Sequence, residues 1–354
     1  MAAAVPIGRG GTQTADSARV HFILRFSVGT TASFVICEWL GWQPSALAPV
    51  LTAVLLASLP VSPPPKVGLV LVVVMAICAW SSFFLTTFLR QVPHLLFAII
   101  GLVMFIAFAN LAKAKGQLPL TLLLICISVV PVVTLTLSQY QGIFPGLLVR
   151  AMALAVIFTW VTFALWPSRS PKSGEPPAPP LRSPLAAAAL GTAIVLPIML
   201  IYLLFGLTDA IPVLLTTVLL VAKMEEERGA SSGFAKLTGN FVGGAIAVAA
   251  YYVLSVAPSL VMLGLLMFLI GAGYAAYIVK GGVRGGNALI AYNATIVIFG
   301  LALLKGPGNS GIWGSRVLQF GLATLYAVAM MRLLWPLLER RSGFARGHTP
   351  QRGG

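Results

Sequence analysis

Long apolar runs separated by short polar breaks occupy most of the chain between His21 and Pro336. Charges, prolines and turn residues divide them into segments near 20–40, 45–60, 67–89, 94–112, 118–138 and 146–167. After a polar stretch come 185–206, 209–223, 237–256, 258–279, 287–304 and 314–336. Crossing a bilayer takes a helix of roughly 20 apolar residues; most of these runs reach that length, while 45–60 and 209–223 are short. The pattern predicts an all-α polytopic membrane protein with twelve transmembrane helices. Residues 1–19 are polar. The first run is too long for a signal-peptide core and no small-residue cleavage site follows it, so we read a cytosolic tail and then a true span.

Composition agrees. The 354 residues are 58% hydrophobic and 9% charged, with a mean hydropathy of +0.96. A soluble domain carries about 25% charged residues, so these charges are too few to coat a globule of this size. That excludes an ordinary soluble enzyme, a disordered chain and a nucleic-acid binder. The net charge of +15 then becomes an orientation signal. With the N-terminus in the cytosol and alternating spans, seventeen Lys and Arg fall in inside loops and tails, against Arg90 and Lys305 outside. Losing one span would invert every later loop and destroy the asymmetry. Both termini are therefore expected in the cytosol, as are 168–184 and 223–236.

The chain resembles itself across the stretch "SRSPKSGEPPAPPLRSP" at 168–184, which reads as a Pro-rich flexible linker. "APVLTAVLLA" at 48–57 matches "IPVLLTTVLL" at 211–220. Arg150 and Arg316 each open a closing span, and both halves end on Leu-Trp-Pro, at 165–167 and 334–336. The expected organisation is a tail (1–19), a six-helix repeat (20–167), the linker, a second parallel six-helix repeat (185–336) and a basic cytosolic tail (337–354). Parallel repeats related by an axis along the membrane normal are a common transporter architecture.

Paired short or proline-interrupted spans point to a transport site. Here they carry Pro49 and Pro212; a kink that only serves packing is the alternative. Of the eight acidic residues, Glu38 and Asp209 alone lie near span ends beside these segments. Desolvation favours the neutral form of a carboxylate, which makes the two proton-coupling candidates, although both also suit the wet headgroup zone. His94, next to an outer loop, is a weaker third. Polar residues inside spans add Asn240, Tyr140, Tyr292 and Asn293 as substrate-path candidates. Gly229 and Gly233, and Gly239 and Gly243, are four apart, a spacing that suits close helix packing more than substrate contact. "KGGVRGGN" at 280–287 reads as a tight cytosolic turn, with Asn287 able to cap the span that follows. The cysteines Cys37, Cys78 and Cys126 lie in apolar runs and read as small core residues. The three histidines have no acidic or cysteine partners at ligand spacing, so no metal is expected, and no phosphate-binding Gly-x-x-x-x-Gly-Lys loop is present. No cofactor is expected.

The segment "IPVLLTTVLLVAKMEEERGASSGFAKLTGNFVGG" at 211–244 joins a proline-led apolar helix, a charged turn and a Gly-Asn helix start. In this it resembles the fusaric acid resistance and aromatic acid exporter superfamily, whose members are built from six-span units. The first half carries only the beginning of the pattern; its turn is "LPVSPPPKVG" at 59–68, without the acidic run. The large cytosolic domains of some relatives are absent. The resemblance is to the compact two-unit bacterial members. It implies an inner-membrane efflux component for small aromatic or amphipathic organic acids, acting with a periplasmic adaptor of the membrane-fusion type. The partners expected are thus the lipid bilayer, that adaptor and a small organic anion, with no nucleic acid; a homo-oligomer stays open. Proton-coupled export, not enzymatic catalysis, is the expected function. The competing readings are a non-catalytic membrane subunit of a larger export or envelope complex and, less favoured, a membrane-embedded enzyme acting on lipid-linked substrates.

Overall fold

The computed structural model describes residues 10–113, 117–137, 140, 142–168, 184–204, 214, 218, 230–305, 326 and 329. Among the described residues the chain is all-helical: α1 (Gly10–Trp39), α2 (Leu47–Ser58), α3 (Pro65–Leu89), α4 (Pro93–Leu111), α5 (Gln117–Thr136), α6 (Phe144–Leu165), α7 (Pro184–Leu204), α8 (Ala230–Val256), α9 (Leu260–Ile278) and α10 (Gly282–Lys305). These correspond to ten of the twelve apolar runs. The runs at 209–223 and 314–336 lie outside the described residues, apart from helical positions at 214, 218, 326 and 329. Among the described residues, seven helices are long and apolar enough to cross a membrane, and α2 is a shorter apolar one. The chain is a polytopic helical membrane protein.

Proline and glycine set the helix ends. Pro65 and Pro93 open α3 and α4, and Pro145 lies in the first turn of α6; there the missing N–H removes a donor that has no intrahelical acceptor anyway. Ser259 caps α9, its hydroxyl accepting from the Met262 N–H at 3.1 Å. At the end of α1, Gly41 adopts φ +64° and the Trp42 N–H turns back to the Cys37 carbonyl at 2.8 Å. That left-handed residue stops the helix and sends the chain into α2.

Helix α3 is apolar on every side, as expected where one face meets protein and the other lipid. On α3, Leu71, Met75, Ala79 and Ser82 are buried, while Val73, Ile77, Trp80 and Phe84 are exposed. α2 differs: eight of its twelve residues are buried. It packs on α1, α6 and α10 and so lies inside the bundle.

Packing repeats along the chain. α3 rests on α4 and α5, and α4 on α5; α8 rests on α9 and α10, and α9 on α10. Between these groups, α1 packs on α9 and α7 on α4. α8 and α10 approach closely at Gly243 of α8. A side chain there would collide with the Ala291 carbonyl of α10, and the bare backbone lets Thr295 donate to the Gly243 carbonyl at 3.0 Å. Gly239, one turn earlier, is looser: its missing Cβ would stand 3.4 Å from the Asn287 carbonyl oxygen. Both glycines thus face α10. Gly233 lies on the same helix, and Gly229 is outside the described residues.

Two expectations about the α9–α10 region are corrected. The turn is shorter than 280–287, because α10 already begins at Gly282. Asn287 is therefore five residues inside the helix and does not cap it; its Oδ1 is buried without a partner. Likewise α8 starts at Ala230, before the apolar run predicted from 237.

Candidate functional site

Side-chain contacts define two ends of the bundle. At one, Arg25 of α1 meets the last turn of α6; at the other, Cys37 and Trp42 meet Arg150 at the first turns of α6. α2 runs between them. Its Ala46 end lies against Gly300 of α10, and Leu56 near its far end lies against Gly29 of α1.

The candidate site is built around α2. Two cavities flank it. One, of about 10 Å³, lies between the α1–α2 turn and α6 and is lined by Cys37, Trp42, Pro44, Ala48, Arg150 and Ala151 among others; that is near the lower limit for one water molecule. The other, of about 30 Å³, is apolar and separates α2 from α3, α5 and α6, with Val50, Val54, Met75 and Ile125 in its wall. A helix with empty space on two sides loses packing contacts on each, so α2 is held less tightly than its burial suggests. Pro49 is buried in its first turn; there it removes no internal helix bond, which makes it a helix starter here and not a kink.

Polar groups gather at the α2 entrance. The Arg150 guanidinium lies 4.4 Å over the Trp42 ring, and its Nη2 donates to the Gln43 carbonyl at 3.4 Å. Glu38 is half-buried and its Oε1 is shut off from solvent with no hydrogen-bond partner. Ser45 is 1% exposed and its hydroxyl also has none. Buried polar atoms are nearly always paired. Glu38 lies in the last turn of α1 and Ser45 just before α2, so the two orphans border the α1–α2 connection, where a proton or a ligand would complete the bonding.

Tyr292 and Asn293 sit deeper. Tyr292 is fully buried, and its hydroxyl donates to Thr30 Oγ1 at 2.6 Å. Thr30 in turn donates to the Phe26 carbonyl at 2.8 Å, so this chain of bonds ties α10 to α1. Beside it, the Tyr274 hydroxyl pairs with Thr295 Oγ1 at 3.2 Å. Tyr292 is thus a satisfied crosslink between helices. Asn293 is 4% exposed with its Oδ1 unpaired, which leaves it an open acceptor in the interior.

The other candidates do not join this group. His94 is exposed at the start of α4. Tyr140 is half-buried in the α5–α6 connection, its N–H on the Leu137 carbonyl at 3.0 Å. Asp209 and Pro212 lie outside the described residues, as does the side chain of Asn240. Three features passed over as site residues in the sequence stand out in the structure. Ser45 is an orphan hydroxyl at the mouth of α2. Pro131 and Pro197 interrupt the bonding inside α5 and α7; each frees the carbonyl four residues earlier, at Ile127 and Ala193. Arg25, within the first span, is buried.

A family model described as a protein of unknown function (DUF2955) matches residues 22–162, a stretch that runs from α1 into α6. No curated protein and no solved structure matches the chain.

Proposed function

We propose that this chain is an inner-membrane efflux transporter, or the membrane component of one, for small aromatic or amphipathic organic acids, driven by the proton gradient. The observation that carries the reading is α2: a half-length, proline-started helix enclosed by α1, α6 and α10, flanked by cavities, with an unpaired carboxylate oxygen of Glu38 at its entrance. An ionisable group at a span end beside an interrupted helix is a functional feature by default. The repeated pairing of α3–α4–α5 and α8–α9–α10 supports a chain of two six-helix units. So does a family match whose bounds coincide with the first unit. The basic loops favour both termini on the cytosolic side. The substrate class comes from the resemblance to fusaric acid resistance and aromatic acid exporters, with a periplasmic adaptor as the expected partner.

In this reading Glu38, with Asp209 as its counterpart in the second unit, carries a proton in one state and releases it in the other. Export is measured as uptake of radiolabelled aromatic acids into everted vesicles with and without an imposed proton gradient. Glu38→Gln and Asp209→Asn keep shape and remove only titration. Each is expected to abolish gradient-driven uptake while the protein still inserts. Parent rates in both single variants and in the double variant across about pH 6 to 8 would overturn the carboxylate mechanism. The chain would then be a facilitator, or a subunit energised by a partner.

A further inference from the structure

His21, Arg25 and Gly29 follow one another a turn apart on α1, on the side of that helix that meets α6. A side chain at Gly29 would touch Thr162 of α6 at 3.0 Å, and Cys37 lines a cavity with Ala151 of α6. Arg25 therefore enters the α1–α6 seam near the last turn of α6. It is 5% exposed, although it belongs to a helix that qualifies as a membrane span.

Its surroundings are unusual for a charge. The guanidinium carbon stands 4.0 Å from the centre of the Phe163 ring and 5.6 Å from that of Phe22. Nη1 makes one long bond, 3.4 Å, to the Trp166 carbonyl. Nε is buried with no partner. One turn earlier on the same face, the His21 Nδ1 is also buried with no partner. Trp166 follows the last residue of α6, so the negative end of that helix dipole is present, but it supplies only about half an elementary charge. Among the residues whose side chains are described, Glu38 is the one carboxylate. It lies thirteen residues further along α1, about 20 Å away by helix rise. A buried cation is expensive unless it is both neutralised and fully hydrogen-bonded, and among the described residues it is neither.

The free side of the guanidinium decides what would complete it. Nη1 is turned to Trp166, which leaves the Nε edge, the side that takes a carboxylate through two parallel N–H bonds. Flat aromatic rings at Phe22 and Phe163 suit an apolar body attached to that carboxylate. We propose that Arg25, assisted by His21, is the recognition point for the carboxylate of a small organic anion that enters the α1–α6 seam between Phe22 and Phe163. The proposal deepens the transport reading above and rests on it for the movement of the ligand, but not for its binding. An anionic lipid head group offers similar oxyanion chemistry. The seam favours the small solute, because Arg25 points into the protein at α6, which is itself packed by α1, α2 and α3.

The test uses the full chain in nanodiscs of zwitterionic lipid, with radiolabelled benzoate in equilibrium dialysis and benzamide as the neutral isostere. The parent is expected to bind benzoate in preference to benzamide. Arg25→Gln is expected to weaken benzoate at least about tenfold, the loss of a charged hydrogen-bonded pair, and to collapse the preference. Arg25→Lys keeps charge without the fork and is expected to fall between; His21→Gln is expected to weaken binding less. Size-exclusion elution and the thermal midpoint report folding, and the lysine and His21 variants decide the matter if the glutamine variant is misfolded. Unchanged benzoate affinity and preference in Arg25→Gln overturns the site, and if that variant still exports at the parent rate the transport reading survives. Displacement of benzoate by phosphatidylglycerol, with loss of co-purified phosphatidylglycerol in Arg25→Gln, overturns the solute site in favour of a lipid site. A parent that neither binds nor moves benzoate, cinnamate or salicylate overturns the site and the transport reading together.

Discussion

Alanine at Gly243 and at Gly239 should move stability in opposite directions, although the two glycines are one turn apart on α8 and look alike in the sequence. At Gly243 a methyl group would collide with the Ala291 carbonyl oxygen, stand 3.1 Å from the carbonyl carbon and 3.2 Å from Thr295 Oγ1. Those neighbours are backbone and a buried hydroxyl, so relief comes only by parting α8 and α10. Overpacking of this kind costs about 1–3 kcal/mol. Parting the helices also stretches the 3.0 Å Thr295–Gly243 bond, for which about 0.6 kcal/mol is the average within membranes. Alanine recovers about 1 kcal/mol of helix propensity over glycine. The balance is a loss of about 1–3 kcal/mol. At Gly239 the same methyl meets the Asn287 carbonyl oxygen at 3.4 Å and the Ala291 Cβ at 3.7 Å, ordinary contact distances. Only the propensity gain remains, so Gly239→Ala is expected to be neutral or stabilising by up to about 1 kcal/mol. Thermal unfolding in a mild detergent, followed by tryptophan fluorescence and by size exclusion after heating, reads both. A Gly243→Ala midpoint equal to the parent's, or the same sign of change in both variants, would refute the close approach of α8 and α10.

Tyr292→Phe removes the 2.6 Å bond to Thr30 but leaves Thr30 its own bond to the Phe26 carbonyl. A drop of about 1 kcal/mol with export retained is expected, measured by the same unfolding assay beside vesicle uptake, and loss of export at parent stability would make Tyr292 part of the path. Single cysteines at Ser173 and Ser231, in a background without Cys37, Cys78 and Cys126, are expected to resist an impermeant thiol reagent applied from the periplasmic side; efficient labelling would sink the twelve-span topology.

Hydropathy located the helices well because each apolar run here is closed by residues that also stop helices. Pro65, Pro93 and Gly41 each coincide with a predicted edge to within a few residues. It failed where the two signals part. The stretch "ASSGFAKL" at 230–237 is too polar to read as membrane, yet nothing in it breaks a hydrogen-bond ladder, and α8 runs through it. At 282–286 the glycines suggested a turn, but only Gly281 and Gly282 take positive φ, and the helix begins there. Hydropathy marks where the bilayer ends; helix boundaries answer to backbone geometry.

The site was legible where a residue's chemistry is informative alone and hidden where facing decides. Glu38 and Pro49 stand out in the letters because a carboxylate and a proline are rare at such positions; the structure puts Glu38 in the last turn of α1 and Pro49 in the first turn of α2. Tyr292 and Asn293 were equally rare, but adjacent residues on a helix point about 100° apart. That rotation separates a satisfied crosslink from an open acceptor, and no string of letters displays it when both neighbouring surfaces are apolar. Arg25 was the costliest omission. A lone arginine in a first span points to no site by itself, since long cationic side chains near a membrane edge usually snorkel to water. His21, Arg25 and Gly29, each a turn apart, carried the contrary signal. Gly29 lets α6 approach, and a helix that close leaves the arginine against two rings instead of in the headgroups. In an all-apolar helix, the small and polar positions at a spacing of four, more than the hydrophobic ones, tell which side faces the protein.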